Sequence, residues 1–319
     1  MVVKVSDPYS QRHKHQKLIK NADQAEFAAI LSGASIADQG LYDDRVADAL
    51  DDYDAELGSD MERWQRDDLQ IDTAVGQAQE ELERRATLLG ECYPFIMNGG
   101  SLTYRASSSG FYEFCLAISL AEQISQGDFV HLPRVFEQLS ATLVRDFFGE
   151  RAKSLHLGSP RDTYPQFGQA MKNASEVTGE WFWGPDPGLP DNPADTGDHG
   201  VDFVVWNPPP DGRAGSAFIL GQCACGQDWS DKFGDVDLGR YKKWFNPLSY
   251  VDPPVRAFTT PHHVGDGFLN EALKRAGIVF DRSRLTILAE SASTTADYAA
   301  WKDRICELTR LVVSPLGAA

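Results

Sequence analysis

The chain has no apolar run near eighteen residues and no basic segment leading into a short apolar core at its first residues, Met-Val-Val-Lys-Val. Those absences remove a membrane span and a secretory leader from the reading, and a soluble, cytoplasmic protein is expected. Cysteine is sparse and odd in number: Cys92, Cys115, Cys223, Cys225 and Cys306 make a poor disulfide framework, and reduced thiols are expected. Positive charge is also short. With 30 Lys and Arg against 47 Asp and Glu, the net charge of −17 repels a polyanion at long range. Contact with nucleic acid would then need a local basic cluster, a bound cation or a partner subunit. No GxxxxGK[ST], GxSxG or HExxH sequence is present, so P-loop, serine-elbow and zincin chemistries have no support.

What is present is an ordinary globular composition, 42% hydrophobic and 24% charged over 319 residues. Residues 1–22 hold a basic, His-containing stretch, QRHKHQKLIK, with few apolar anchors, and predict a mobile or peripheral arm. Residues 23–160 read as mainly helical. Ala74, Ala78, Leu82 and Leu89 recur at helical spacing, and the acids between Asp23 and Arg85 predict a solvated face. Further helices are expected in GFYEFCLAISLAEQI and in PRVFEQLSATLVRDFFG, the latter opening on Pro133 and closing at Gly149.

From 161 to 319 the pattern changes. A helix ending near Gly179 precedes a Pro/Gly/Asp loop, two apolar runs (Val201 to Trp206, Ala217 to about Cys225), a helix, a short strand in VRAFTTP and the helix GFLNEALKRAG. The two runs read as a hairpin buried on both faces. With the turn centred near Gly212, residues whose numbers sum to 424 stand opposite, which sets Asp202 against Gln222. A carboxylate among apolar residues is costly unless it binds a cation or accepts several hydrogen bonds, so this pair is the candidate site.

A helix carrying Glu, a hairpin bearing Asp and then Gln in GVDFVVW…ILGQCAC, and a following helix and strand resemble the PD-(D/E)XK nucleases, in the Mrr-like branch that has Gln in place of the second acid. The resemblance covers roughly residues 167–261. It implies an α/β (α+β) fold, with a restriction-endonuclease-like mixed sheet flanked by helices after the helical half. It implies Mg²⁺ (or Mn²⁺) as cofactor, DNA as substrate, and a place in a bacterial restriction or anti-phage system with a protein partner. A homo-oligomer is left open.

Carried over, Asp202 and Gln222 become metal ligands, with Glu180, or Glu176 one turn earlier, as the helix acid. The family lysine is missing, since Ala224 occupies its position. Lys232 in QDWSDKF is the nearest replacement, ahead of Lys242 and Lys243. Those two, with Arg282 and Arg284, are the candidate nucleic-acid contacts, although Asp281 beside the arginines points first to a structural ion pair. The alternative to an Mg²⁺-dependent endonuclease is a nuclease-fold subunit that has lost catalysis and serves as a binding or scaffolding partner. Cys223 and Cys225 fit core packing better than zinc, and Trp181 and Trp183 fit packing better than base stacking.

Overall fold

The computed structural model describes residues 8–36, 60–121, 124, 126–158, 164, 166–189 and 200–316. Residues 1–7 of the basic stretch, 37–59 of the acidic stretch and 190–199 of the Pro/Gly/Asp loop lie outside the described residues. Among the described residues no helix is long and apolar enough to cross a membrane. The fold is mixed α/β with a helical first half, and the chain divides into two compact units. The first takes in residues 1–122, 263–268 and 293–319, and the second 123–262 and 269–292.

In the first unit, helix α1 spans Pro8–Ser32, so the basic stretch belongs to a helix from residue 8 onward. The sequence reading underestimated its anchors: Ile19, Ala22, Ala25 and Ala29 are buried. Helix α2, Asp60–Leu89, turns Ala78, Leu82 and Leu89 inward, as their spacing predicts. A three-stranded antiparallel sheet follows, from β1 (Ala34–Ile36), β2 (Phe95–Asn98) and β3 (Ser101–Tyr104), in the order β1-β3-β2. Gly99 and Gly100, both at positive φ, make the tight turn between β2 and β3. Helix α3 (Phe111–Leu120) is buried at nine of its ten positions, as its nearly continuous apolar sequence requires.

Not all acids of the stretch from 23 to 85 form the expected solvated face. Asp23, Glu26 and Glu81 are buried around Arg85, itself wholly buried, with guanidinium to carboxylate distances of 2.7, 3.0 and 3.0 Å. The Tyr93 and Tyr112 hydroxyls both donate to Glu26, and His263 stands 3.1 Å from Glu81. Periodicity shows which side of a helix is apolar; it does not show that a guanidinium from another helix will neutralise acids turned inward.

The second unit is built on a five-stranded mixed sheet. Its strands are β4 (Lys153–His156), β5 (Phe203–Asn207), β6 (Ala217–Cys223), β7 (Val255–Thr259) and β8 (Ile278–Phe280), side by side in that order. Pairings β4–β5 and β5–β6 are antiparallel, whereas β6–β7 and β7–β8 are parallel. The hairpin register is the one expected from a turn at Gly212: Phe203 pairs with Gly221, Val205 with Ile219 and Asn207 with Ala217.

Val204, Trp206, Phe218 and Leu220 share one core with Phe167, Met171 and Ala174 of helix α5 (Phe167–Thr178), and with Trp181, Tyr241 and Trp244. Helix α4 (His131–Phe147) packs on β4, β5 and β6, and on helix α8 (Arg282–Ala292). The division therefore groups α4 and β4, which the sequence reading left with the helical half, with the sheet. Between β6 and β7 lie only a 3-10 helix, Trp229–Gly234, and a single turn, α6 (Leu238–Tyr241), instead of the one longer helix expected, while GFLNEALKRAG forms helix α7 (Asp266–Ala276) as expected.

Candidate functional site

Asp202 immediately precedes β5, so the strand's alternation does not dictate where its side chain points. Its backbone carbonyl accepts the N–H groups of Leu157 and Gly158 at 2.6 and 2.8 Å, and its own N–H donates to Gly221 at 2.8 Å. Its carboxylate Oδ2 accepts the Cys223 backbone N–H at 2.6 Å. Asp202 is thus fastened at backbone and side chain and is only 8% exposed.

The other oxygen, Oδ1, and two groups the sequence reading missed all lie close to Gly158. A Cβ built on Gly158 would lie 2.8 Å from Glu137 Oε2, 3.1 Å from His156 Nε2 and 3.2 Å from Asp202 Oδ1. Glu137 comes from α4, one residue past the buried Phe136, and His156 is the last residue of β4. The imidazole stands 3.2 Å from the Glu137 carboxylate, and the two side chains keep 25% and 16% of their exposure. Gly158 leaves open the small space on which all three converge; any side chain there would fill it.

Cys223 stands beside this group, its sulfur 2.9 Å from the Thr259 hydroxyl. Burial, then the nearby charges of Asp202 and Glu137, push its thiol pKa well up. Cys225 is buried, and its carbonyl stands 3.1 Å from His262 Nε2.

Gln222 lies opposite Asp202 by extension of the register, but its amide nitrogen donates to Asp235 at 3.1 Å. Glu180 is placed elsewhere. Its carboxylate accepts the N–H groups of Gly215 and Ser216 and the Ser216 hydroxyl, the last at 2.6 Å, and so ties down the hairpin loop. Burial works against its charge, but the Ser216 hydroxyl and the two backbone donors outweigh it and hold the pKa below the usual carboxylate value. Six residues of extended strand, roughly 20 Å, separate Ser216 from Gln222, so Glu180 supplies no ligand at Asp202. Glu176 is exposed in the last turn of α5, the helix that leads into this same loop-fastening segment.

The basic candidates are also held elsewhere. Lys232 lies 3.7 Å from Asp228 and is 38% exposed, and Ala224 is buried. Lys242 pairs with Asp252 at 2.8 Å, while Lys243 is exposed. Arg282 is fully buried and donates to the Pro261 carbonyl, and Arg284 donates to the Val279 carbonyl at 2.6 Å. Arg282 is therefore committed to the fold, whereas Arg284 is an exposed residue with one guanidinium nitrogen on a carbonyl. Asp281 accepts the Arg284 backbone N–H, which caps α8. Of the two tryptophans, Trp181 is buried as expected, whereas Trp183 keeps 37% exposure.

Among the described residues, no three His, Cys, Asp or Glu side chains form a ready group for a metal ion. The Glu137–Asp202 pair has His156 beside it, and a donor atom of each comes within 3.2 Å of the position a Cβ on Gly158 would take. Sequence carried faint signals for both additions: an acid at the margin of the apolar face of PRVFEQLSATLV, and a His two residues before a Gly in KSLHLG. Neither signal names its partner. No family model, no curated protein and no solved structure matches this chain.

Proposed function

We propose that the second unit is a metal-dependent nuclease that hydrolyses phosphodiester bonds of DNA, with Asp202 and Glu137 holding the cation. The observation that carries this reading is the convergence of those two carboxylates on the space above Gly158, at the start of an antiparallel hairpin that continues into a parallel strand. Mg²⁺ keeps several of its waters and is commonly bound through only one or two carboxylates, so a hard two-oxygen donor set fits it without a closed cage. Such an ion, when bound, lowers the pKa of a water and offsets charge at the phosphate.

The chain's own residues have separate tasks. The Cys223 N–H orients one Asp202 oxygen and leaves the other toward Glu137. His156 steadies the Glu137 carboxylate, and Gln222 and Asp235 form a second polar contact at the same end of the hairpin. A role in a bacterial restriction or anti-phage system, with a partner protein, follows by analogy with the resemblance.

A second reading is favoured by one observation: Ala224 is buried where the family lysine would stand, while Lys232 is engaged by Asp228. On that reading the unit is a binding subunit without catalysis. The deciding test is cleavage of plasmid DNA by the full chain with Mg²⁺ or Mn²⁺, alongside Asp202→Asn and Glu137→Gln. Cleavage lost in both variants, with thermal stability kept, supports the nuclease. Cleavage unaffected by either variant overturns this site, and no cleavage with any metal or DNA form leaves the binding subunit.

A further inference from the structure

We infer that His156 is a third ligand of the cation site, so that the site prefers a first-row transition ion, with Mn²⁺ as its probe, over Mg²⁺. This rests on the proposal above that Glu137 and Asp202 bind a cation, and it adds a residue and a selectivity to it. The three donors come from three elements: Glu137 from α4, His156 from the end of β4 and Asp202 from the start of β5. Backbone bonds from Leu157 and Gly158 to the Asp202 carbonyl lock the end of β4 to the start of β5, which fixes the origins of two of the three side chains.

As they stand the three are not a preassembled cage, since the imidazole is hydrogen-bonded to Glu137. Nε2 of His156 and Oε2 of Glu137 would exchange that bond for the ion, with Asp202 Oδ1 as the third donor. Glycine matters here because a Cβ at residue 158 would occupy the space the ion needs. The donor chemistry sets the preference. Imidazole nitrogen adds little for Mg²⁺, which favours oxygen and sheds water reluctantly, but it strengthens binding of later first-row ions. Cys223 is not counted among the donors: its sulfur contacts the Thr259 hydroxyl at 2.9 Å.

The test loads the full chain with Mn²⁺ and looks for nitrogen modulation from an imidazole in the electron spin-echo spectrum. Calorimetry with Mn²⁺ and with Mg²⁺ runs in parallel on wild type, His156→Asn and His156→Gln. Expected are nitrogen modulation in wild type and its loss in both variants. Mn²⁺ affinity should fall tenfold or more in the variants while Mg²⁺ affinity changes less than threefold. Mn²⁺ bound without nitrogen modulation, and equally well by the variants, overturns the inference but leaves a carboxylate site intact. Absence of Mn²⁺ and Mg²⁺ binding by wild type overturns both the inference and the nuclease reading. The spectrum of wild type needs no variant to fold, so the inference stands or falls on it even if both substitutions destabilise the chain.

Discussion

Two groups of charged side chains in this protein look alike in sequence and differ in kind. In the first unit, Asp23, Glu26 and Glu81 surround the wholly buried Arg85, with Arg84 and His263 completing the contacts of Glu81. In the second, Glu137 stands beside a histidine and Asp202 accepts a backbone N–H, and two of the three side chains remain in reach of solvent. A guanidinium with five fixed donors satisfies several carboxylates at once and closes the group. An imidazole and a peptide N–H orient carboxylates without closing it. Burial of acids therefore does not by itself mark a site; access and the kind of neutralising partner do.

The comparison breaks most sharply at Arg85. Arg85→Ala leaves three buried carboxylates without their guanidinium and is expected to cost about 3–5 kcal/mol, read as a shift in the denaturation midpoint. If stability is unchanged, the first group is not structural. In the second unit the large effect should fall on activity instead. Asp202→Asn keeps an acceptor for the Cys223 N–H but removes the charge. A hundredfold or greater loss of Mg²⁺-dependent cleavage is expected, about 2.7 kcal/mol of transition-state stabilisation, with melting temperature little changed. An unfolded variant would instead place Asp202 with Arg85.

Glu180→Gln sharpens the contrast inside the second unit. Its carboxylate fastens Gly215 and Ser216, so about 1–3 kcal/mol of stability should go while cleavage per folded molecule stays the same. Acid separates the two groups next. Burial alone would raise the pKa of Glu81, but the His263 hydrogen bond, the Arg85 charge and the Arg84 hydrogen bond together carry it well below the ordinary value. A depressed folded-state pKa gives stability that is present above the unfolded value and lost as pH falls through and below about 4. The wild type should thus lose stability with falling pH in that window, and Glu81→Gln, less stable at neutral pH, should lose less of it. The smallest effect is expected at Lys232, partly exposed beside Asp228: Lys232→Ala should change stability by less than about 1 kcal/mol and cleavage by less than threefold. A hundredfold loss of cleavage would instead restore it as the displaced lysine.

The sequence by itself determined three strands of the larger sheet, β5, β6 and β7, and the hairpin register, because these follow from short-range rules; the short edge strands β4 and β8 carry no comparable pattern. Side chains alternate along a strand, and one turn centre at Gly212 then aligns every pair from Phe203–Gly221 to Asn207–Ala217. It also singled out Asp202, an acid at the edge of an apolar run. It could not assign that acid's companions. Glu180 is nearer in sequence than Glu137 but sits at the far end of the hairpin, bound to the loop. Glu137 and His156 reach Asp202 only because β4 pairs with β5 and α4 packs across both. The same limit hid Arg85, which satisfies acids some sixty residues earlier through the packing of one helix on another. Local pattern is set by bonded geometry and is legible in order along the chain. Which charges meet is set by long-range packing, where the cost of burying each one is offset only by a partner that the fold alone brings near.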